Sequence, residues 1–457
     1  VTVPTEATRA GAGPGGSSGS GPHAEAPSDA GQRGPRNSGG IGRFGGPRLR
    51  RFLVYLAAAG PGLIAANAGN DAGGVVTYAS AGAQFGYRPI FFMVLVTVGY
   101  VSVQEMVARL AAHTGKGLAA LIREQFSIRL TSFAVVAFAI ANIGLVVTEF
   151  AGIAAAFQLF GVSRYLSVPL AAIAIWSLVM LGSYRYAERV FLLLSLVFIT
   201  YPIAMFFGHP AWGQVASNLV LPHFLRSNAF ILVGVGLIGT TITPYIQLYT
   251  AGAVVDRGIG PDEYRYERID AVSGAIFSDL VSIFIIVATA AVLGRFHRAL
   301  ASASQAAAAL RPLAGSGAVT LFGIGLLGAA ALAAAVVPLS TSYALAEAVG
   351  VERSVSKKFK EAPLFLGLFT AQIVVGAGVV LIPGNLFQLI INTQVLEGLI
   401  TPVTLVFVLV LANRRSLLGA AANGWFARAV GTVTVVCVGG FALFLVGQTV
   451  AGWLGVG

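Results

Sequence analysis

Charge is scarce in this chain: 10% of its 457 residues are Asp, Glu, Lys or Arg, against roughly a quarter in soluble globular proteins. Cysteine is nearly absent, Cys437 being the single one, which excludes an intrachain disulfide and a cysteine metal cluster. Histidine is rare and badly placed for membrane chemistry. His23 lies in a polar N-terminal stretch, and His113, His209, His223 and His297 fall between the apolar runs, so no imidazole is expected at membrane depth to relay protons near neutrality. Also missing are a nucleophile paired with a base, a phosphate-binding glycine loop and a two-carboxylate arrangement in a soluble segment, which argues against an enzyme. What is abundant is apolar surface. With 56% hydrophobic residues and a mean hydropathy of +0.82, the chain reads as an all-α polytopic membrane protein whose main partner is the lipid bilayer.

Residues 1–50 are rich in Gly, Ser and Pro, hold almost nothing large and apolar, and lack the apolar core of a secretory signal. They are expected to be a disordered cytoplasmic tail, with the first span serving as the insertion signal. Residues 51–457 then form the transmembrane domain. Its apolar runs predict spans near 52–84, 88–111, 131–160, 165–183, 188–208, 227–254, 271–294, 318–349, 361–382, 384–411 and 427–455. Alternate connections are basic: Lys116, Arg123 and Arg129; Arg185 and Arg189; Arg257, Arg265 and Arg268; Arg353, Lys357, Lys358 and Lys360; Arg414, Arg415 and Arg428. The opposite connections hold chiefly Arg88, Arg164, Arg226, Arg295, Arg298 and Arg311. The positive-inside rule therefore places the N-terminus in the cytoplasm and, after an odd number of spans, the C-terminus outside a cell membrane. The net charge of +11 is spread over these short loops, which fits a topology signal and not a nucleic-acid face.

Two spans look damaged as helices. In the first, "NDAGG" (70–74) puts Asn, Asp and two glycines at mid-membrane; in the sixth, "GLIGTTITPYIQLY" (236–249) combines Gly239, three threonines and Pro244. Gly and Pro are common in membrane helices and each break alone reads as a kink. Asp71 is harder to dismiss, since a charge at the bilayer centre costs at least about 2.5 kcal/mol. Interruptions five helices apart point to inverted five-helix repeats, about 51–208 and 227–411, with an extra helix at 427–455 and the site at the breaks. Asp71 is expected to meet a cation there, with Ala72, Gly73 and Gly74 releasing the helix so that carbonyls join it.

The residues carry a family resemblance. Gly60, Pro61 and Gly62, followed by eight residues and "DAGG", resemble the first helix of the Nramp family of proton-coupled divalent-metal transporters, whose hallmark ends in Asp-Pro-Gly-Asn. "VQEMVARLAAHTGKGLAALIRE" (103–124) is similar to that family's second helix and loop. "GTTITPY" (239–245) stands where the family has Gly-Ala-Thr-Val-Met-Pro-His, and "TQVLEGLITP" (393–402) keeps its tenth-helix spacing of Gln and Pro. The resemblance runs from about residue 50 to the end. It implies a LeuT-type fold of about eleven transmembrane helices, broken in helices 1 and 6, transporting a metal by alternating access.

The departures bear on the substrate. By resemblance, the family holds its metal with the Asp and Asn of the first motif, the Met of the sixth helix and carbonyls of two alanines. Carried over, Asp71 and the Ala68 carbonyl are kept, while Asn becomes Gly74, Met becomes Thr243 and the sixth-helix Ala becomes Thr240. Losing the thioether removes the preference for softer transition metals, and an all-oxygen site with a single carboxylate suits a hard cation that keeps its waters. The pattern resembles the divergent Nramp-related magnesium transporters; Thr at the Met position also occurs in the aluminium-transporting plant relatives. The expected cargo is hydrated Mg2+ entering the cytoplasm, with no separate cofactor. A Mn2+/Fe2+ transporter of the ordinary Nramp type, or an amino-acid or other organic-solute carrier of the same fold, stay as alternatives.

Proton coupling is expected to be weak or absent. The family's third-helix acids become Glu149 and Gly152 in "TEFAG" (148–152), and its histidines become Tyr245 and Thr250. Glu149 reads either as a ligand acting through water or as a structural acid in a local pair. Gln394 matches a family position that approaches the metal, though a Gln serving a neighbouring helix looks the same. Asp279 and Glu397 read as gate or helix-contact residues. Glu105 and Arg109 are spaced for a helical ion pair, and "DEYRYERID" (262–270) reads as a solvated loop or short amphipathic helix. A monomer is sufficient for transport; the oligomeric state stays open.

Overall fold

A computed structural model of the chain describes residues 70–180, 200–223, 225, 227–350 and 362–453. The expected tail 1–50, the first half of the first span with Ala68, and the basic residues Arg185, Arg189, Arg353, Lys357, Lys358 and Lys360 lie outside the described residues.

All regular structure among the described residues is helical. The longer helices are α1 (Ala72–Phe85), α2 (Pro89–Thr114), α3 (Ile128–Leu159), α4 (Arg164–Met180), α5 (Asn228–Thr241), α6 (Pro244–Asp256), α7 (Tyr264–Leu293), α8 (Ala318–Val349), α9 (Pro363–Leu381), α10 (Leu386–Asn413) and α11 (Trp425–Trp453). Eight helical stretches among the described residues are long and apolar enough to cross a membrane, α5 and α6 together making one of them. Their starts are written in the sequence: Pro89, Pro244 and Pro363 occupy first-turn positions whose amides need no partner. Ser127, Ser227 and Asn385 cap α3, α5 and α10 by accepting from Leu130, Phe230 and Gln388 amides.

Helix α3 packs against α8, α9 and α10; α7 packs on α1 and α2, and α5 lies along α10. Small residues set the closest approaches. A β-carbon on Gly239 of α5 would stand 2.1 Å from the Gln394 carbonyl oxygen, and one on Gly398 of α10 would stand 2.1 Å from the Val235 carbonyl oxygen. The two backbones therefore touch, the arrangement that packs membrane helices when lipid removes the hydrophobic drive. Large apolar side chains such as Leu95, Phe133, Ile173, Val374 and Leu443 point outward, as a bilayer-facing surface requires.

Hydrogen bonds tie the connections at each end. At one end Arg164 donates to the Gly384 carbonyl (2.7 Å), Asn385 to the Ala301 carbonyl (3.1 Å) and the Ala211 amide to the Tyr87 hydroxyl (3.2 Å). At the other, Arg109 pairs with Glu105 at 3.2 Å, as its spacing predicts, and donates to the Ala421 carbonyl (3.0 Å) and the Asn423 side chain. Arg414 there donates to the backbone and side chain of Gln125, both at 2.9 Å.

Three local expectations are corrected. Ala72, Gly73 and Gly74 do not release the helix: they form the first turn of α1, and the non-helical residues described before it are Asn70 and Asp71. The stretch 262–270 is helical from Tyr264, the first part of α7, but is not solvated throughout, because Glu267 is buried against Arg257 at 2.7 Å. His113 lies in the last turn of α2, with Nδ1 at 3.0 Å from the Arg109 carbonyl oxygen.

Candidate metal site at the helix breaks

Asp71 is the N-cap of α1. Its extended backbone places Oδ1 2.7 Å from the Gly74 amide, which donates to it. A carboxylate at a helix N-terminus is favoured by the exposed amides and the dipole, so part of the cost of burying Asp71, 1% exposed, is met by its own helix. Gly74 thus serves the site through its backbone N–H. Asn70 braces the same turn: its Nδ2 donates to the Ser278 carbonyl and hydroxyl oxygens, both at 3.4 Å, and its Oδ1 accepts from Ser282 (3.3 Å).

The second break is where the sequence puts it. Helix α5 ends at Thr241, Ile242 and Thr243 leave the helical pattern, and α6 starts at Pro244. Pro244 has no amide to offer the preceding turn. The Thr243 hydroxyl caps α6 by accepting from the Ile246 amide (3.4 Å), and the Thr401 hydroxyl donates to the Ile242 carbonyl (3.3 Å). Thr240 is fully buried and its hydroxyl oxygen has no hydrogen-bond partner.

Helices α3 and α10 close the site. The Ala72 amide donates to Glu149 Oε2 (3.3 Å), which brings the third-helix acid to the Asp71 turn, while Glu149 Oε1 stays unpartnered. Gln394 Nε2 donates to the Thr148 hydroxyl (3.4 Å), and Gln394 Oε1 is unpartnered. Gly73 is the reason this amide fits: a β-carbon there would stand 2.2 Å from Gln394 Nε2. Gly152 has a similar cause, since a β-carbon on it would fall 2.3 Å from the Ala72 β-carbon. No acid can stand at that position with the helices so close.

The structure thus brings Asp71, Gly74, Glu149 and Gln394 together around the start of α1, and places Thr240 and Thr243 on either side of the second break. Two further buried side chains are unpaired: Glu397, read from the sequence as a gate or helix-contact residue, and Gln247, which the sequence reading did not single out. Glu397 of α10 has both carboxylate oxygens unpartnered and no exposure, and Gln247 in the first turn of α6 has neither amide atom bonded. Gln247 stands four residues after Thr243, one helical turn, and that spacing was the only signal for it. Buried polar atoms are normally paired, so the unpaired oxygens of Glu149, Gln394 and Glu397 mark groups available to a ligand or water. Every unpaired acceptor is an oxygen. Among the described residues no three His, Cys, Asp or Glu side chains converge as a metal cluster, so any cation held here takes one or two carboxylates together with hydroxyl, amide and carbonyl oxygens. Farther along α3, its bond to α8 is neutral, Asn142 donating to the Thr341 hydroxyl (2.8 Å), and so is that between α9 and α8, Gln372 donating to the Ser342 hydroxyl (3.1 Å).

Comparison with known proteins shows the family and the fold. The chain is 28% identical over 413 residues to the divalent metal cation transporter MntH of Klebsiella pneumoniae strain 342, covering 88% of this chain and 95% of that one. Its fold is similar to that of a manganese transporter from Eremococcus coleocola, with a TM-score of 0.70 at 21% identity over 90% of each chain. It is also similar to Mhp1, a nucleobase-cation-symport-1 family transporter, with a TM-score of 0.51 at 15% identity, covering 85% of this chain and 93% of that one. The family model for natural resistance-associated macrophage protein-like proteins matches residues 62–448, and the chain belongs to that family, Nramp.

Proposed function

We propose that this protein carries a hard divalent cation, hydrated Mg2+, into the cytoplasm by alternating access at the two helix breaks. Membership of the family, and the printed function of the MntH relatives as divalent metal cation transporters, support metal transport. The observation that favours a hard ion is Thr243: at the break of α5 and α6 the chain presents a hydroxyl where a thioether would select softer metals. Asp71 is the principal charged ligand, with the Ala68 carbonyl, Thr240 and Gln394 as further oxygens and Glu149 acting through water. Gly74 leaves room for ligand waters that Mg2+ sheds reluctantly.

Weak or absent proton coupling is part of the same reading. The described spans hold one histidine, at the end of α2, and the Asn142–Thr341 bond from α3 to α8 and the Gln372–Ser342 bond from α9 to α8 are amide–hydroxyl pairs. An inside-negative potential drives entry instead, at about 2.3 kcal/mol per elementary charge per 100 mV and double that for a divalent ion. The N-terminus is assigned to the cytoplasm and the C-terminus to the outside.

A second reading is a manganese or iron transporter. It is favoured by the Eremococcus coleocola neighbour, which is a manganese transporter. An organic-solute carrier is disfavoured by the buried Asp71, Glu149 and Glu397, which would repel a substrate carboxylate. Uptake into proteoliposomes separates the first two. Magnesium flux that excess manganese inhibits only weakly supports the hard-ion reading; manganese flux without magnesium flux replaces it with the second.

A further inference from the structure

Gln394, Glu397, Gly398 and Thr401, spaced three and four residues apart, share one face of α10. That face runs from one helix break to the other. Gln394 lies against Gly73 at the first break, Gly398 lies against the Val235 carbonyl of α5, and Thr401 donates to the Ile242 carbonyl (3.3 Å) at the second break. Glu397 stands between Gln394 and Thr401. Its carboxyl is within electrostatic reach of Asp71, and both are within reach of Glu149.

Packing alone does not account for an acid at this position. Glu397 has no exposure, and neither carboxyl oxygen has a hydrogen-bond partner. The one basic residue buried among the described residues, Arg109, pairs with Glu105 at the end of the bundle. A carboxylate left with neither a hydrogen bond nor a counter-charge is costly to bury, and an ionisable group within a membrane span most often lines the path of an ion. Asp71 and Gln394 are as closed to solvent as Glu397. The closure of Glu397 is therefore that of the whole site, and a cation that reaches Asp71 between the breaks also comes into the field of Glu397.

We infer that Glu397 is a specificity-determining residue of the transport site, acting on the bound ion together with Asp71 and setting its preference for divalent over monovalent cations. This rests on the reading of the helix breaks as the transport site, and it is the same for Mg2+ and for Mn2+. Asp71, Glu149 and Glu397 repel one another in a closed space of low dielectric, and a doubly charged ion offsets that repulsion twice as well as a singly charged one. Removing the charge at 397 therefore weakens a divalent ion more than a monovalent one. The neutral oxygens of Thr240, Thr243 and Gln394 add no charge to this balance.

The test is uptake of Mg2+ and of Mn2+ into proteoliposomes in rising Na+, with the full-length protein, Glu397→Gln, Glu397→Asp and Asp71→Ala. For the divalent ion carried, Glu397→Gln is expected to raise KM by about tenfold or more, with a maximal rate within about twofold of the unaltered protein's. Na+ should then compete at a roughly tenfold lower ratio to the divalent ion, and Glu397→Asp, which keeps the charge, should recover part of both effects. Thermal unfolding in detergent separates this from a helix-contact role. Without divalent ions Glu397→Gln should melt at or above the unaltered protein, since repulsion is relieved, and should gain less when the carried ion is added. Lower melting with an unchanged gain from the ion would assign Glu397 to packing and overturn the inference. Loss of uptake in Asp71→Ala, together with unchanged KM and Na+ competition in Glu397→Gln, overturns the inference alone. Equal uptake by Asp71→Ala and the unaltered protein overturns the site reading and the inference with it.

Discussion

Two glycines a short distance apart should fail in opposite ways when a methyl group is added. At Gly239 the new β-carbon would meet backbone, the Gln394 carbonyl oxygen at 2.1 Å and the Gly398 amide nitrogen at 2.5 Å. No side chain can rotate away, so α5 and α10 must separate by about 1 Å to restore ordinary contact, an overpacking cost of roughly 1–3 kcal/mol or more. Two backbone atoms this close put the cost at the upper end of that range; alanine recovers about 1 kcal/mol of helix propensity, leaving Gly239→Ala destabilised by about 2 kcal/mol or more. At Gly73 the β-carbon would instead meet the Gln394 amide head, Nε2 at 2.2 Å. That head can swing aside at the expense of its bond to Thr148, about 1 kcal/mol, which the propensity gain nearly cancels. Gly73→Ala should therefore melt close to the unaltered protein and transport poorly, because the Gln394 oxygen has left the site. Gly252→Ala, with nothing within 4 Å of its β-carbon, is the control for both measurements. Thermal unfolding in detergent and metal uptake into proteoliposomes, run on all three, give the comparison. Full transport by Gly73→Ala would remove Gln394 from the site, and an unchanged melting temperature for Gly239→Ala would refute the backbone contact between α5 and α10.

Other outcomes follow from the same geometry. Thr243→Met introduces a soft ligand at the second break and should raise manganese flux relative to magnesium; an unchanged ratio would show that the hydroxyl does not set selectivity. Arg109→Gln strips Glu105 and the Ala421 carbonyl of a charged donor and should cost about 1.5–3 kcal/mol of stability in denaturant unfolding; a loss below about 0.5 kcal/mol, the ordinary surface range, would contradict the role given to that bond network. Proteoliposomes carrying a pH-sensitive dye should show metal entry with little acidification of the lumen, and stoichiometric acidification would disprove weak coupling.

The fold was legible because composition and two defects determine it. Apolar runs with alternately basic connections gave the spans, and every helix longer than seventeen residues among the described ones falls on a predicted run. The second break was readable from Pro244, which removes a backbone donor and disrupts the preceding turn, whereas the capping of α6 by Thr243 appears only in the structure. The first was misread by a turn. "AGG" looks like a helix breaker in one dimension, and only the packing of α1 on α3 and α10 shows that Gly73 and Ala72 are small to admit Gln394 and Gly152. Glu397 and Gln247 were underrated for a related reason: whether a buried polar group is satisfied depends on the neighbouring helix, which no local pattern records. Charge along the sequence also hid Glu267, read as solvated within a mixed-charge run but buried against Arg257.

The most direct test is magnesium uptake by proteoliposomes under an inside-negative potential and no pH gradient, with the unaltered protein and Asp71→Ala measured side by side. The account predicts potential-driven uptake that Asp71→Ala abolishes while remaining folded. Equal uptake by the two proteins would contradict it, because the cation would then cross without the carboxylate that caps the first helix break.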